Sequence, residues 1–495
     1  MHYLLIALGI VQLFGANVAM LYLVHMFQLH SYKVKAQNAW CGKNASRLLL
    51  FFVPLAGGFF FWPRKTAKKP LKFTPRVVRL LAAIGVLEIV LLFPGIYHLS
   101  PWYVLADAFC ITGLAEWILF LANLINKPME TAICNRYTKQ AKRLLAEHPN
   151  LLVIGITGSF GKTSVKHFLT TLLRAKYNVL MTPGGVNTPM GVVRCVREEL
   201  NASHEIFVCE MGAKQSGDIA ELCDIAHPTH GVLTSIGPQH LETFLTLENV
   251  IQTKLELARA LPTTGILFAN SEDENIAERL GDFSSVVAYA ASENGAAYGA
   301  KDIFADAHGT TFTVITPEGD LTLTTRLLGK QNVVNLVGAI AVAHTLGVPL
   351  SDIKGRTRKI EPVKHRLELL DKGGGLLVID DAYNSNPTGA KAALDALALF
   401  DGCKVLVTPG MIELGTKQEE LNFIFGQQAA AVCDYVILVG EAQTKPIKEG
   451  LQAAGFSSER LIAADSLREA IPKVEQIHAE GRKIVLYEND LPDNF

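Results

Sequence analysis

A glycine-rich run, Gly155-Ile156-Thr157-Gly158-Ser159-Phe160-Gly161-Lys162-Thr163-Ser164, lies between an apolar strand-like stretch and a helix-like stretch. The first covers residues 151–154; the second runs through Val165, Phe168, Leu169 and Leu172. No other feature constrains the fold as much. A glycine turn that opens a helix aims backbone N–H groups and the positive end of the helix dipole at one point, which suits a phosphate. Thr157, Gly158, Ser159, Gly161, Lys162, Thr163 and Ser164 form the candidate loop. Lys162 is expected to reach the outer phosphates of ATP, and Thr163 to offer an oxygen to Mg²⁺. The strict P-loop pattern has a glycine at the position held here by Ile156, and the nearest glycine is Gly155, so the loop is a variant.

The chain has 495 residues, enough for about three domains. A formal net charge of −1 gives no global attraction to nucleic acid. Eight scattered cysteines without a Cys-x-x-Cys pair argue against a zinc site and a disulfide framework. Hydropathy is concentrated at the front. Residues 4–27 contain no Asp, Glu, Lys or Arg, long enough to span a hydrocarbon core. This run lacks a basic start and is followed by further apolar segments, unlike a cleaved signal peptide.

Residues 48–62 are apolar but short, with Pro54 and Gly57-Gly58, and fit either a tilted span or a re-entrant segment. Residues 77–99 carry Arg79 and Glu88, and residues 103–125 carry Asp107 and Glu116. Such groups at membrane depth face other helices or mark a functional path. Arg64, Lys65, Lys68, Lys69, Lys72 and Arg76 crowd one loop; Lys127, Arg136, Lys139, Lys142 and Arg143 come after the last segment. Basic loops mark the cytoplasmic side. Four spans leave Lys33, Lys35, Lys43 and Arg47 outside, whereas three spans and a re-entrant second segment place every basic loop inside. Both arrangements make a multi-pass protein of the cell membrane, in contact with lipid, with everything after residue 126 in the cytoplasm.

From residue 151 onward, short Val/Ile/Leu runs alternate with helical patterns, the signature of a mostly parallel sheet wrapped by helices. Strands are expected at 151–156, 205–209, 230–235, 265–268 and 310–315, and helices at 247–260 and 332–346. A second series has strands at 375–379, 404–408, 435–439 and 483–487. The expected fold is α/β: a transmembrane helical domain (1–126), a linker (127–149), a P-loop-type central domain (150–361) and a Rossmann-like C-terminal domain (362–495).

One residue joins the loop on physical grounds, and two others would by themselves read as a structural histidine and a solvated lysine. Glu210 ends an apolar strand, where α/β folds bind ligands, and suits Mg²⁺. His240 comes after another apolar strand, and Lys254 lies in a helix-like segment.

Together these stretches resemble the Mur ligases, ATP-dependent enzymes that build the peptide stem of peptidoglycan, and among them the D-alanyl-D-alanine-adding branch. The resemblance covers residues 150–495. It rests on residues 157–164, Asn187-Thr188-Pro189-Met190-Gly191, Glu210-Met211-Gly212-Ala213, residues 237–242 and Lys254-Leu255-Glu256-Leu257. It also rests on residues 328–335, Asp380-Asp381-Ala382-Tyr383-Asn384-Ser385-Asn386-Pro387 and Gly410-Met411-Ile412-Glu413-Leu414-Gly415. The resemblance implies that Thr163, Glu210 and His240 are metal-site residues and that Lys162 is the phosphate-binding lysine. It makes Lys254 a carbamylated lysine able to hold a second Mg²⁺. Asn332 and Asn335 would lie near adenine, Arg366 and Asp381 would be brought onto ATP by the C-terminal domain, and Asn187 would lie near substrate or metal. Lys162, Lys254 and His240 are the expected catalytic residues.

The resemblance implies an ATP-dependent acid–amino-acid ligase of cell-wall synthesis. Such an enzyme turns a carboxylate into an acyl phosphate and joins it to an amino acid or dipeptide, foremost D-alanyl-D-alanine. A membrane domain stands where family members acting on UDP-linked muropeptides carry a nucleotide-sugar-binding domain, so the precursor is either UDP-linked or lipid-linked. The alternatives are a polyglutamate-type ligase with another acceptor, and a membrane-bound nucleotide-binding scaffold without ligase activity.

Overall fold

The computed structural model describes residues 2–52, 69–98, 100–306, 308–383, 385–441 and 443–490. It contains an N-terminal unit ending at Arg136 and a second unit, Tyr137–Asp490.

The N-terminal unit is helical: His2–Leu29, Val34–Lys43, Pro75–His98, Pro101–Gly113 and the start of Ala115–Ala146. Val24 and Phe27 of the first helix pack with Leu80 and Ile84 of the third and with Leu119 and Ala122 of the last. Leu4, Ile10, Val86, Val90, Phe93 and Trp117 stay exposed. An apolar shell this extensive is unusual for a surface facing water. Among the described residues, Tyr3–Leu29 is long and apolar enough to cross a membrane. Pro101–Gly113 and Ala115–Ala146 pass that test only together, bent by 71°. Most of the expected segment 48–62 lies outside the described residues, as do Arg64, Lys65 and Lys68. The stretch read as a linker is helical as far as Ala146. The reason is a stripe spaced four residues apart: Ala141 and Leu145 are buried and Tyr137 packs beside them in the core of the second unit.

The central sheet has six parallel strands in the order β2-β3-β1-β4-β5-β6. They are β1 (Leu152–Thr157), β2 (Val179–Met181), β3 (Ile206–Glu210), β4 (His230–Leu233), β5 (Leu267–Asn270) and β6 (Val286–Tyr289). Apolar residues point to both faces because helices cover both. Helix Lys162–Leu173 buries Val165, Phe168, Leu169 and Leu172, the spacing of a single helical face. Helix Leu247–Ala260 is capped by Thr246, whose hydroxyl accepts from Asn249 N at 3.2 Å. Strand β1 sits between β3 and β4, so the chain order reverses there, and the loops after these three strands converge.

The strand expected at 310–315 is part of a separate antiparallel sheet, β7 (Gly299–Asp306), β8 (Gly309–Thr316) and β9 (Gly319–Thr325). It therefore does not extend the parallel sheet. Its composition explains this: Phe312 and Val314 point into the core while Thr311 and Thr313, alternating with them, are only half-buried, a pattern that covers one face only.

The C-terminal sheet has the order β10-β11-β15-β12-β13-β14. Its strands are β10 (Glu368–Asp371), β11 (Leu376–Asp381), β12 (Cys403–Thr408), β13 (Tyr435–Val439), β14 (Leu461–Ala464) and β15 (Lys483–Glu488). Only β10 is antiparallel to its neighbour. Helix Pro387–Ala398 starts with Pro387 in its first turn, and the Asn386 side chain accepts from Gly389 N at 3.0 Å. All eight cysteines are free thiols.

Candidate active site

The loop after β1 turns sharply at two glycines. Gly161 has φ 84°, and a β-carbon there would strike the Asn335 side chain; one at Gly158 would strike Thr234. No other residue fits either place. Ser159 anchors the loop to the segment after β4, its hydroxyl donating to Gly237 O at 3.0 Å. Thr157 Oγ1 donates to Met211 O at 2.9 Å, tying β1 to the loop after β3. Ser164 is buried in the first turn of the helix.

Lys162, expected on an exposed loop, is half-buried. Its Nζ donates to Gly158 O at 2.6 Å and Ser159 O at 3.2 Å. Burial lowers its pKa to about 8; Glu210 works against that shift and Arg366 adds to it. A cation gripped by two carbonyls and short of hydration is ready to exchange them for phosphate oxygens.

Glu210, at the end of β3, gathers the next group. Its Oε1 accepts from Thr163 Oγ1 at 3.2 Å and Asn187 Nδ2 at 3.0 Å. Its Oε2 accepts from Lys166 Nζ at 2.9 Å. Lys166 and Glu210 are 0% and 1% exposed, so neither charge is tolerable without the other. Sequence reasoning missed Lys166. A lysine one position from Val165 and two from Phe168, on the buried face of the helix, was the available signal.

His240, after β4, has φ 51° and pairs through Nδ1 with Glu413, in the loop after β12. Burial lowers its pKa, which Glu413 opposes. Burial raises the Glu413 carboxyl, but His240 and Lys214 outweigh that and hold it at about 2. Against an ionised Glu413 the Nδ1 atom carries the proton of this contact, which leaves Nε2 as the ring nitrogen free of the pair. Lys254, 1% exposed, has its pKa held well below the usual lysine range by burial and then by Lys162.

Two expected partners of adenine differ. Asn332 Nδ2 donates to Leu328 O of its own helix at 3.0 Å. Asn335 is buried against Gly161 with neither side-chain polar atom satisfied. A buried amide with no partner beside a phosphate loop is a place for a ligand. From the C-terminal sheet, Arg366 lies over the Tyr383 ring at 4.5 Å, and Asp381 accepts from Leu367 N at 3.2 Å. Burial raises Asp381 to about 6, with Arg366 pulling it down. A cavity of about 490 Å³ runs between Thr163, His167 and Gly184 on one side and Lys364, Arg366 and Tyr383 on the other.

The donor set fits the groups such a site needs. Thr163 Oγ1 and Glu210 Oε1 are hard oxygens suited to Mg²⁺, which takes one or two protein oxygens and fills the rest with phosphates and water. The two positive-φ glycines and the helix N-terminus at Lys162 form a phosphate cradle. Thr163, Glu210 and Asn187 are brought together, and Lys162 is close enough to Lys254 to lower its pKa.

Beyond this cluster, Glu488 pairs in register with Asp381 at the ends of β15 and β11. It accepts from Ser385 and, at 3.0 Å, from Thr408. Burial pushes it up to about 8; the two hydroxyls lower it and Asp381 raises it. An unfolded glutamate titrates near 4.5, so between about pH 4.5 and 8 the folded chain keeps a proton that the unfolded chain releases. Stability then falls as pH rises through that window. Glu488→Gln is expected to flatten the dependence of melting temperature on pH. It should melt like the wild type at pH 5 and a few degrees higher at pH 8 by scanning fluorimetry; parallel curves would refute the assignment.

Comparison with known proteins identifies the family. Residues 156–343 match the Mur ligase middle domain, and residues 365–487 match the Mur ligase, glutamate ligase domain. The UDP-N-acetylmuramoyl-tripeptide--D-alanyl-D-alanine ligase of Haemophilus influenzae is 31% identical over 348 residues, 69% of this chain and 74% of that protein. Its namesake in Escherichia coli is 32% identical, over 58% of this chain and 64% of that one. Among solved structures, MurF from Acinetobacter baumannii has 27% identity and a TM-score of 0.65, covering 72% of this chain and 77% of its own. The MurF ligase of Thermotoga maritima in complex with ADP has 26% identity and a TM-score of 0.64, covering 72% and 80%. The chain therefore belongs to the Mur ligase family and is an ATP-dependent ligase that uses ATP and Mg²⁺.

Proposed function

We propose that this enzyme is a membrane-embedded ligase of peptidoglycan synthesis that joins a muropeptide carboxylate to the amine of D-alanyl-D-alanine. The observation that carries the reading is the convergence of Thr163 and Asn187 on Glu210 beside Lys162, in a chain whose relatives are named for that acceptor.

In the reaction the substrate carboxylate attacks the γ-phosphorus of ATP, ADP leaves, and an acyl phosphate forms. The acceptor amine then attacks the carbonyl carbon, phosphate leaves, and the amine gives up a proton. Lys162 releases its two loop carbonyls and turns its charge to the phosphoryl group. Bound Mg²⁺ would neutralise charge on the phosphates, held by Thr163 and Glu210 with His240 and a carbamylated Lys254 near it. Lys166 holds Glu210 in place. Asn335 offers its unsatisfied amide to the nucleotide. Arg366 and Asp381, from the C-terminal sheet, complete the nucleotide side, and closure of that sheet excludes water from the acyl phosphate.

The N-terminal unit favours a lipid-linked donor, since the family match begins only at residue 156. Three crossings are the arrangement we favour for it. His25 bonds to Lys69 O at 2.8 Å, Gln28 donates to Lys72 O at 2.9 Å, and Arg76 lies over the Tyr32 ring at 3.8 Å. These contacts support an end of the first helix and a start of Pro75–His98 on one side. Arg79 bonds to Glu130 at 2.7 Å, which supports Lys127 and Arg136 on that same side. All the basic segments then share the cytoplasmic face.

A donor confined to a bilayer meets an anchored enzyme at a raised effective concentration. In liposomes the full chain is expected to outperform a chain beginning at residue 127 on a lipid-linked donor, and to equal it on a UDP-linked one. Phosphate release dependent on D-alanyl-D-alanine is the readout. Equal rates on both donors would leave the N-terminal unit a mere tether; no stimulation by D-alanyl-D-alanine would reject the acceptor.

A further inference from the structure

The C-terminal sheet sends one carboxylate across to the central sheet. Glu413 pairs with Nδ1 of His240, in the loop after β4, and accepts from Nζ of Lys214, in the loop after β3, at 3.2 Å. Its backbone oxygen also takes Glu242 N at 3.3 Å. A single residue thus bridges the loop after β3, the strand that ends in Glu210, and the loop after β4 that carries His240.

Glu413 is not a surface acid that happens to find a partner. Its loop is pinned from the far side: Met411 N donates to Asn422 Oδ1 at 2.9 Å, Asn422 Nδ2 returns to Met411 O at 2.9 Å, and Asn489 Nδ2 donates to Gly410 O at 2.6 Å. Met411 and Leu414 on either side of it are buried. Glu413 and His240 both have left-handed backbone, φ 61° and 51°, a conformation costly for residues with a β-carbon and kept only where the surroundings impose it. Two strained residues thus meet at a charged contact between these loops and the C-terminal sheet.

We propose that Glu413 is a positioning residue for His240. Docking of the C-terminal sheet delivers its carboxylate to Nδ1, fixes the ring's tautomer and rotation, and leaves Nε2 as the lone-pair nitrogen. The divalent-cation site is then complete only when the C-terminal sheet is in place, so the metal cannot be fully held in an open enzyme that would spend ATP on water. A carboxylate bonded to the remote nitrogen of a metal-site histidine orients the ring and raises its basicity, and its loss typically weakens metal binding about 10–100-fold.

The inference rests on His240 being a metal-site residue, and the test separates the two. Mn²⁺ binding to the full-length protein with ADP present is measured by electron paramagnetic resonance for the wild type, His240→Ala, Glu413→Ala and Glu413→Gln. The amide oxygen of Glu413→Gln can still accept from Nδ1, and its size protects the fold. Both alanine variants are expected to weaken Mn²⁺ binding about 10–100-fold, with Glu413→Gln recovering most of the affinity. Mg²⁺ required for half-maximal phosphate release should change in the same order. Weak binding by His240→Ala beside wild-type binding by both Glu413 variants would overturn the positioning role and leave a plain ion pair. Wild-type binding by His240→Ala would remove the metal-site reading itself.

Discussion

Lys162→Ala is expected to lower the rate of phosphate release and of amide formation on the order of 10³-fold, the scale lost when a preorganised charge at the transferred group is removed. Its Nζ is held by Gly158 O and Ser159 O, on a loop whose shape is set by Gly158, Gly161 and the Ser159–Gly237 bonds. Thermal stability should not fall. The folded pKa of about 8 lies below the unfolded value of 10.5, so the protein folds at a cost while the ammonium is charged, and its stability rises as pH climbs from 8 to 10.5. Removing the group removes that cost at neutral pH. The expected signature is thus a melting temperature equal to or above the wild type with turnover nearly gone. Turnover near the wild-type rate would show that the phosphates bind elsewhere.

The parts of the molecule legible in the sequence are those whose chemistry is local. The strands around the phosphate loop read correctly because each is a short apolar run bounded by turn residues, and helix Leu247–Ala260 because its apolar spacing and Thr246 cap lie within one segment. Strands β2 and β14 escape notice: three and four residues are too short to show a period. The antiparallel sheet reads as part of the parallel one because Thr310–Ile315 alone does not say which neighbour it pairs with; β7 and β9 decide that. The same limit holds at the site. Glu210, Thr163 and Asn187 stand out separately, and the fold brings them to one carboxylate. Lys166 does not stand out, and Glu413 does so only as part of a matched stretch, with no role of its own. Each is ordinary in its segment and acquires a role only from a partner 44 or 173 residues away.

Lys254→Ala should abolish ligase activity, and added bicarbonate should not restore it. The side chain is 1% exposed and its pKa lies well below that of a free lysine, chiefly through burial and then through the charge of Lys162. A buried ammonium beside a second lysine has no evident structural use, whereas a neutral amine there is a nucleophile. Attack of that amine on the carbon of CO₂ forms an N–C bond and releases one proton, turning the residue into a carbamate. The charge at the position would change from zero to −1, which the neighbouring Lys162 can then stabilise, and two hard oxygens of the kind Mg²⁺ prefers would be created. Alanine leaves space where those oxygens would sit, so formate or acetate at high concentration is expected to restore part of the activity. Bicarbonate cannot, because no amine remains to hold it. Mass spectrometry at alkaline pH under CO₂ should detect 44 Da of added mass on the wild-type peptide containing residue 254, on the order of one CO₂ per chain. A Lys254→Ala protein with full activity would end the carbamate assignment. An inactive one that no short carboxylate rescues would make Lys254 a cation in the mechanism instead.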